Sequence, residues 1–401
     1  MKVLLLYNRI PYPLHDGGAL AVNSMAYGLE EAGCELRLFC INASRSYVAE
    51  SDIPASFFEH FGLQQHRVNT HLHPLAAMWN LLEGSSYHVS RFYHPRVAHA
   101  LARLLQAETF DVIQLEATFM GVYLPVIREN SKAKVVLRAH NIDYRIWQRL
   151  AAGCTQPLKR WYLKLQAQRL QQFEEELYRQ TDGCLAISPT DAIQIAAIGN
   201  QPVQTVGMGI AMPEAAPVTY FEAADWQRCL FLGSLDWQPN QEAVQWLKNE
   251  VWPAIKTQSP QSSCLVAGKN CPQNWLQSAV NGLEIVGFVP DARATMLQNP
   301  LFLVPMRSGS GIRIKILEAL SLGLAVVSTR LGAEGLDVTH RQQLLFAETP
   351  QEFAEAVYWL QQQPQEALAL GQRGQAWVRS SFNRLQLSKT AVAFYQQLLA
   401  S

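Results

Sequence analysis

Val304-Pro305-Met306-Arg307-Ser308-Gly309-Ser310-Gly311-Ile312-Arg313-Ile314-Lys315-Ile316-Leu317-Glu318-Ala319-Leu320 is the stretch from which the rest of the chain can be read. The apolar run ending at Val304 predicts a buried strand, the serines and glycines after Arg307 a small flexible turn, and the apolar spacing after Ile312 a helix. Arg313 and Lys315 then fall in about the first turn of that helix, where the positive end of the dipole disfavours cations. An anion must compensate them. A nucleotide diphosphate cradled by glycine amides, with Arg313 or Lys315 neutralising it, fits that requirement. Glu318, one turn further on, would reach a ribose diol. The plainer alternative is a solvated helix face on which Arg313 pairs with Glu318.

Working outward, short apolar runs alternate with longer amphipathic stretches in both halves, the pattern of βαβ units around parallel sheets. Strands are expected at 3–7, 36–40, 112–115, 135–139 and 184–187, then at 229–232, 263–267, 283–286, 301–304, 325–328 and 344–346. Helices are expected at 158–178, 372–378 and 386–399, the chain after Pro364 carrying no clean helix signal until Leu368. Periodicity is weakest over residues 211–225, where Met212-Pro213 and Ala216-Pro217 mark a linker. The fold class is therefore α/β, with two doubly wound Rossmann-like domains, residues 1–210 and 211–379.

The chain has 401 residues, 49% of them apolar and 16% charged, with 33 basic and 33 acidic side chains. That balance describes a globular protein with two or three cores and argues against nucleic acid as a partner. Seven scattered cysteines form no Cys-x-x-Cys pair, so a reduced, cytoplasmic protein without a zinc knuckle is expected. Residues 3–6 are too short for a signal peptide core, and no apolar run is long enough to span a bilayer.

Residues 60–99 hold seven of the ten histidines. His71-x-His73 lacks a carboxylate or cysteine at ligand spacing, so no metal site is expected. The plain reading is an insertion of helices and loops with solvated histidines. The segment 75–82, with Met78 and Trp79, carries the alternative of an acceptor-binding or peripheral contact at the inner face of a membrane.

Near the amino terminus, a strand ending at Tyr7-Asn8 leads to Asp16-Gly17-Gly18-Ala19 and a helix. Glycines there let a phosphate approach the helix start. Neither the Gly-x-Gly-x-x-Gly of a dinucleotide site nor a P-loop is present, which lowers the case for NAD enzymes and P-loop ATPases. His140, in Arg138-Ala139-His140-Asn141, follows a strand at the carboxyl edge of the sheet, where open α/β folds bind ligands.

Taken together, these residues resemble the retaining family 4 glycosyltransferases of GT-B architecture, over nearly the whole chain. The resemblance rests on residues 318–329 (Glu318-Ala319-Leu320-Ser321-Leu322-Gly323-Leu324-Ala325-Val326-Val327-Ser328-Thr329), Gly332-Ala333-Glu334-Gly335, Phe231-Leu232-Gly233-Ser234-Leu235, Leu265-Val266-Ala267-Gly268-Lys269 and Val286-Gly287-Phe288-Val289-Pro290-Asp291. It implies two domains facing each other across a cleft, with residues 380–401 returning to the first. It also implies transfer of a hexose, with retention, from a nucleotide-sugar donor to a glycan, lipid-linked or small-molecule hydroxyl, as in polysaccharide biosynthesis, without a metal or other cofactor. Catalytic roles fall on His140, Arg313 and Lys315, and donor binding on Gly17, Gly18, Gly233, Ser234, Lys269, Val289, Ser310, Gly311 and Glu318.

The departures define a divergent branch. Ser310 stands where the family's first signature glutamate is expected, Ser234 and Pro239 replace its two diphosphate cations, and Met208 replaces the asparagine of the interdomain turn. Arg313, Lys315 and Lys269 are where compensation is expected. A GT-B sugar-nucleotide epimerase and an inactive nucleotide-sugar or glycan-binding module are the alternative readings.

Overall fold

The computed structural model describes residues 1–12, 17–71, 84, 86–210, 212, 221–222, 225–276, 279–309 and 312–401. Ser310, Gly311, most of the expected linker and the 75–82 segment lie outside the described residues. The chain divides into two compact units, Met1–Gly209 with Arg384–Ser401, and Ile210–Asn383.

The first unit is built on seven strands: β1 (Lys2–Tyr7), β2 (Glu35–Ala43), β3 (Gln64–Val68), β4 (Val112–Glu116), β5 (Lys134–Ala139), β6 (Gly183–Ala186) and β7 (Val203–Thr205). They run parallel in the order β3-β2-β1-β4-β5-β6-β7. A parallel sheet must be covered on both faces, and β1 shows why this one is. Its side chains alternate between two cores. Leu4 and Leu6 pack with Leu101 and Leu170 on one face, and Val3 and Leu5 with Val22, Met25 and Tyr395 on the other.

The second unit repeats the plan with β8 (Arg228–Leu232), β9 (Ser263–Ala267), β10 (Ala279–Val280), β11 (Leu283–Gly287), β12 (Leu301–Val304), β13 (Ala325–Ser328) and β14 (Leu345–Phe346). Their order is β10-β11-β9-β8-β12-β13-β14, and only the β10–β11 pair is antiparallel. In each sheet the order reverses beside its first strand, between β1 and β4 and between β8 and β12. Chains leaving the carboxyl ends there diverge to opposite faces and leave room for a ligand.

The helices that bear on function are α1 (Gly17–Glu31), α2 (Asp143–Gly153), α3 (Pro157–Gln180), α4 (Gln238–Trp246), α5 (Ile314–Ser321), α6 (Pro364–Ser381) and α7 (Arg384–Ala400). α7 packs on α1 so closely that a side chain at Gly28 would meet Ser388 Oγ at 2.1 Å. Arg384 Nε also donates to Glu31 across that contact, at 3.2 Å.

Three strands were not legible. β3 reads Gln-Gln-His-Arg-Val with only Val68 buried, β7 is three half-buried residues and β10 is two exposed ones. All are at or near sheet edges, where neighbours supply the pairing and apolar alternation is not required. β3 corrects the reading of residues 60–99 as helices and loops alone. Pro364 also proves to be the first residue of α6 rather than an interruption, because the first turn of a helix tolerates a missing N–H.

Gly268, just after β9, fixes the spacing of the carboxyl edge in the second unit. A Cβ there would lie 1.7 Å from the carbonyl oxygen of Gly233. Gly268→Ala is expected to destabilise the fold by about 1–3 kcal/mol and to displace the loop after β8, checked by urea unfolding beside donor titration.

Candidate functional site

In the second unit, β8 ends at Leu232 and the chain turns through Gly233 and Ser234 toward α4. The turn is held from several sides. The N–H of Gly233 donates to the Ala267 carbonyl at 3.1 Å and that of Leu235 to the Lys269 carbonyl at 2.8 Å. The amide of Asn240, on α4, donates to the Ser234 carbonyl at 2.8 Å. Ser234 Oγ donates to Asp236 at 2.6 Å. These bonds tie the turn to the end of β9 and to α4.

Lys315 reaches that loop from the neighbouring strand–helix connection. Its Nζ donates to Asn240 Oδ1 at 2.9 Å and lies 4.2 Å from the centre of the Phe231 ring. A Cβ at Gly233 would come within 3.1 Å of the same nitrogen. Among the described residues no carboxylate pairs with it. Desolvation, with the nearby Arg313 charge, pushes its ammonium down to about 7. It sits at the second position of α5, and Arg313, which precedes the helix, makes no side-chain cap, so the first N–H groups of the helix add to the positive field.

Arg313 is buried, with its guanidinium carbon 5.5 Å from the Trp237 ring centre. Gly309, at φ +94°, brings the Ser-Gly turn against Trp237, Pro239 and the Arg313 guanidinium. Arg313 therefore packs with Trp237 rather than pairing with Glu318. Glu318 keeps solvent access on α5, yet surrounding protein raises its carboxyl above the usual range. Lys269 is exposed, its ammonium 5.8 Å from the Phe288 ring centre. Val289 is half-buried on the loop after β11.

The sequence left Asn240 unread, although it joins Ser234 to Lys315. Its signal was faint: one amide in an otherwise ordinary helix start.

The first unit places a different group at its own reversal point. Glu116 ends β4, Arg138 lies on β5 and His140 follows β5. His140 Nε2 is 2.6 Å from Glu116 Oε2, and Arg138 Nη1 donates to the same oxygen at 3.2 Å. Gln114 donates to Glu116 Oε1 at 2.6 Å, and Tyr395 of α7 hydrogen bonds to Gln114. Tyr7, ending β1, stacks on the His140 ring at 6.2 Å. Burial works against a charge on Glu116, but Arg138, His140 and the Gln114 amide outweigh it and hold its carboxyl below the usual range. Arg138 is buried and also donates to the Ala21 carbonyl at 3.2 Å, so its work is to fix Glu116. His140 keeps partial exposure, with 14% of its side-chain surface open.

The loop carrying His140 is clamped from below. α2 has no cap of its own, and Glu174 of α3 instead accepts the backbone N–H groups of Asp143 and Tyr144, each at 3.1 Å. Thr118 and Tyr178 donate to the same carboxylate at 3.2 and 2.7 Å. Burial beside the Glu174 charge pushes the Asp143 carboxyl well above the usual carboxylate range. Gly17 and Gly18 form the start of α1. Glu116, Gln114 and Glu174 were not anticipated, since a polar residue inside a strand or helix carries no spacing signal.

Several of the described histidines of residues 60–99 have structural partners, whereas His71 and His99 are exposed. His60 pairs with Glu30 at 2.7 Å, His66 packs on Phe39 and His94 caps the helix that follows it. Among the described residues no three potential ligands converge on a metal position, and no helix is long and apolar enough to cross a membrane.

Residues 16–209 match the family described as glycosyl transferase 4-like domain, and residues 227–363 the family described as glycosyl transferases group 1. The chain is 22% identical over 379 residues to an uncharacterized 44.6 kDa protein in the cps region of Klebsiella pneumoniae, covering 89% of this chain and 90% of that protein. Its fold is that of the Anabaena HepE protein, solved in complex with UDP, at a TM-score of 0.64, 12% identity and coverage of 99% and 100% of the two chains. Sucrose-phosphate synthase from Thermosynechococcus elongatus matches at a TM-score of 0.64 and 15% identity, with both chains covered completely.

Arg138→Met tests the carboxylate network. The folded value of Glu116 lies below its ordinary 4.5, so its stabilising contribution is present above that value and is lost as pH falls through the folded one. Without the guanidinium burial prevails and the folded value rises. The variant should be less stable by about 3–5 kcal/mol at neutral pH. Relative to the parent it should recover stability as pH is lowered toward the carboxylate range, as read by urea unfolding at stepped pH.

Proposed function

Because the chain belongs to the GT-B glycosyltransferases, with a glycosyl transferase 4-like domain ahead of a group 1 domain, we propose that it moves a hexose from a nucleoside diphosphate donor to a hydroxyl acceptor with retention of the anomeric configuration. The observation that carries this reading is Lys315: a desolvated ammonium with no carboxylate partner among the described residues, aimed at the glycine turn after β8. A diphosphate is the anion that both the turn and the cation call for. HepE, bound to UDP, and the E. coli protein bound to UDP-2-fluoro glucose lend support for a nucleotide-linked sugar.

In this proposal the backbone N–H of Ser234 holds the diphosphate, which the missing side chain of Gly233 lets approach, Lys315 and Arg313 balance its charge, Glu318 accepts from the ribose hydroxyls and the Val289 backbone meets the base. Lys269 supplies a further cation. Lys315 thereby replaces the two cations that the family places at positions 234 and 239. As the bond from the anomeric carbon to the diphosphate oxygen breaks, negative charge grows on the leaving group, and preorganised cations stabilise it more in the transition state than in the donor. The acceptor oxygen bonds to the same face of the sugar, and the departing phosphate oxygen takes the acceptor proton. Gly17, Gly18 and His140 are assigned to the transferred sugar, with Glu116 orienting the imidazole. No resident metal or other cofactor is required by this scheme. The acceptor is a glycan, a lipid-linked sugar or a small molecule.

A panel of nucleoside diphosphate sugars tests the class of reaction. Slow donor hydrolysis without acceptor supports a transferase, whereas interconverted sugar would mean an epimerase and binding without turnover an inactive module. Glu318→Ala should lower donor affinity by about a hundred-fold. The pH dependence follows from Lys315. Binding an anion favours the ammonium, so with a free value of about 7 the protein takes up a proton on binding, and affinity falls as pH rises through and above neutrality, by at most about ten-fold per pH unit. Calorimetry with UDP-glucose in buffers of different ionisation enthalpy measures that uptake, and Lys315→Met should abolish it.

A further inference from the structure

The hairpin of α2 and α3 carries a feature that sugar transfer does not use. Between Tyr144 and Phe173 the chain has Arg145, Arg149, Lys159, Arg160, Lys164 and Arg169 and no acidic residue, in a protein whose charges cancel over the full length. At the tip of this hairpin Leu158 is 85%, Trp161 58% and Leu150 54% exposed. The opposite side of α3 is fully engaged, with Gln166, Ala167, Leu170 and Leu177 buried. Arg145, Arg149, Lys159 and Lys164 are exposed, and none is in an ion pair among the described residues.

The tip is also built to keep its shape. Arg160 donates to the carbonyls of Ala151 and Ala152, at 3.3 and 3.0 Å, closing the carboxyl end of α2. Gln148 and Gln171 join the two helices at 3.2 Å. An apolar tip with an aromatic residue, flanked by lysines and arginines and held rigid, has the composition of an interfacial anchor. Its charge is complementary to the anionic headgroups of a membrane surface, and Trp161 can lie at the boundary between headgroups and acyl chains.

We propose that the tip of the α2–α3 hairpin, through Leu150, Leu158 and Trp161 with Arg149, Lys159 and Lys164, docks the protein on an anionic lipid surface. The proposal is independent of the sugar-transfer reading, because it is read by lipid binding alone.

The test is co-sedimentation of the full chain with vesicles of phosphatidylcholine alone and of phosphatidylcholine with phosphatidylglycerol. The protein is expected to pellet with the mixed vesicles and far less with the neutral ones, and to be released by salt. Leu158→Glu combined with Trp161→Glu should weaken partitioning by more than about ten-fold. Lys159→Glu combined with Lys164→Glu should cost at least about five-fold per lysine. All four positions are exposed, so thermal unfolding should not change. Failure of the parent to pellet with anionic vesicles, equal pelleting with neutral ones, or variants that pellet like the parent would overturn the proposal. So would a concentration-dependent dimer that the Leu158 and Trp161 changes dissolve, in the absence of lipid binding, since the surface would then seat a second copy of the chain.

Discussion

A cation at the start of a helix is opposed twice, by the positive end of the dipole and, when enclosed, by the loss of its water. Lys315 meets both conditions, with the Asn240 oxygen, the Phe231 ring and the Met306 sulfur as the contacts of its ammonium among the described residues. Such an arrangement is costly in the free protein and becomes favourable when an anion arrives. The second unit is organised to deliver that anion to one place. The strand order reverses between β8 and β12, Gly268 allows the turn after β8 to lie tight against β9, and Asn240 binds both the turn and the lysine.

The first unit solves the converse problem. There the buried charge is an anion, Glu116, and the protein supplies its partners itself, so the group is settled before any ligand binds. The consequence is an imidazole held in one orientation at the carboxyl edge of the sheet, with Tyr7 against its face. The Glu174 carboxylate, which caps α2, keeps the loop on which that imidazole sits. Tyr395 ties the same network to the final helix, so the last residues of the chain belong to the core from which the site is built.

What could be read in advance follows from where apolar area is concentrated. The central strands are continuous apolar runs because both of their faces are covered, and β1, β4, β8 and β12 could hardly be anything else. β3, β7 and β10 escaped because edge strands owe their existence to a neighbour rather than to their own composition. The site divides along the same line. Lys315 and Gly233 were legible because cations at a helix start and glycines at a strand end break local rules, and rule-breaking residues mark function. Asn240, Gln114, Glu116 and Glu174 act through partners distant in sequence, and a single chain carries no record of those distances. The plainer alternative for Arg313, a pairing with Glu318, is not seen among the described residues, and its guanidinium lies against the Trp237 ring.

The claim that matters most is that the turn after β8 and Lys315 together hold a diphosphate. A crystal structure of the protein with UDP-glucose decides it. The expected result is the diphosphate within hydrogen-bonding distance of Lys315 Nζ and of the Ser234 backbone N–H. Nucleotide bound elsewhere, or phosphates turned away from Lys315 with its ammonium still on Asn240, would contradict it.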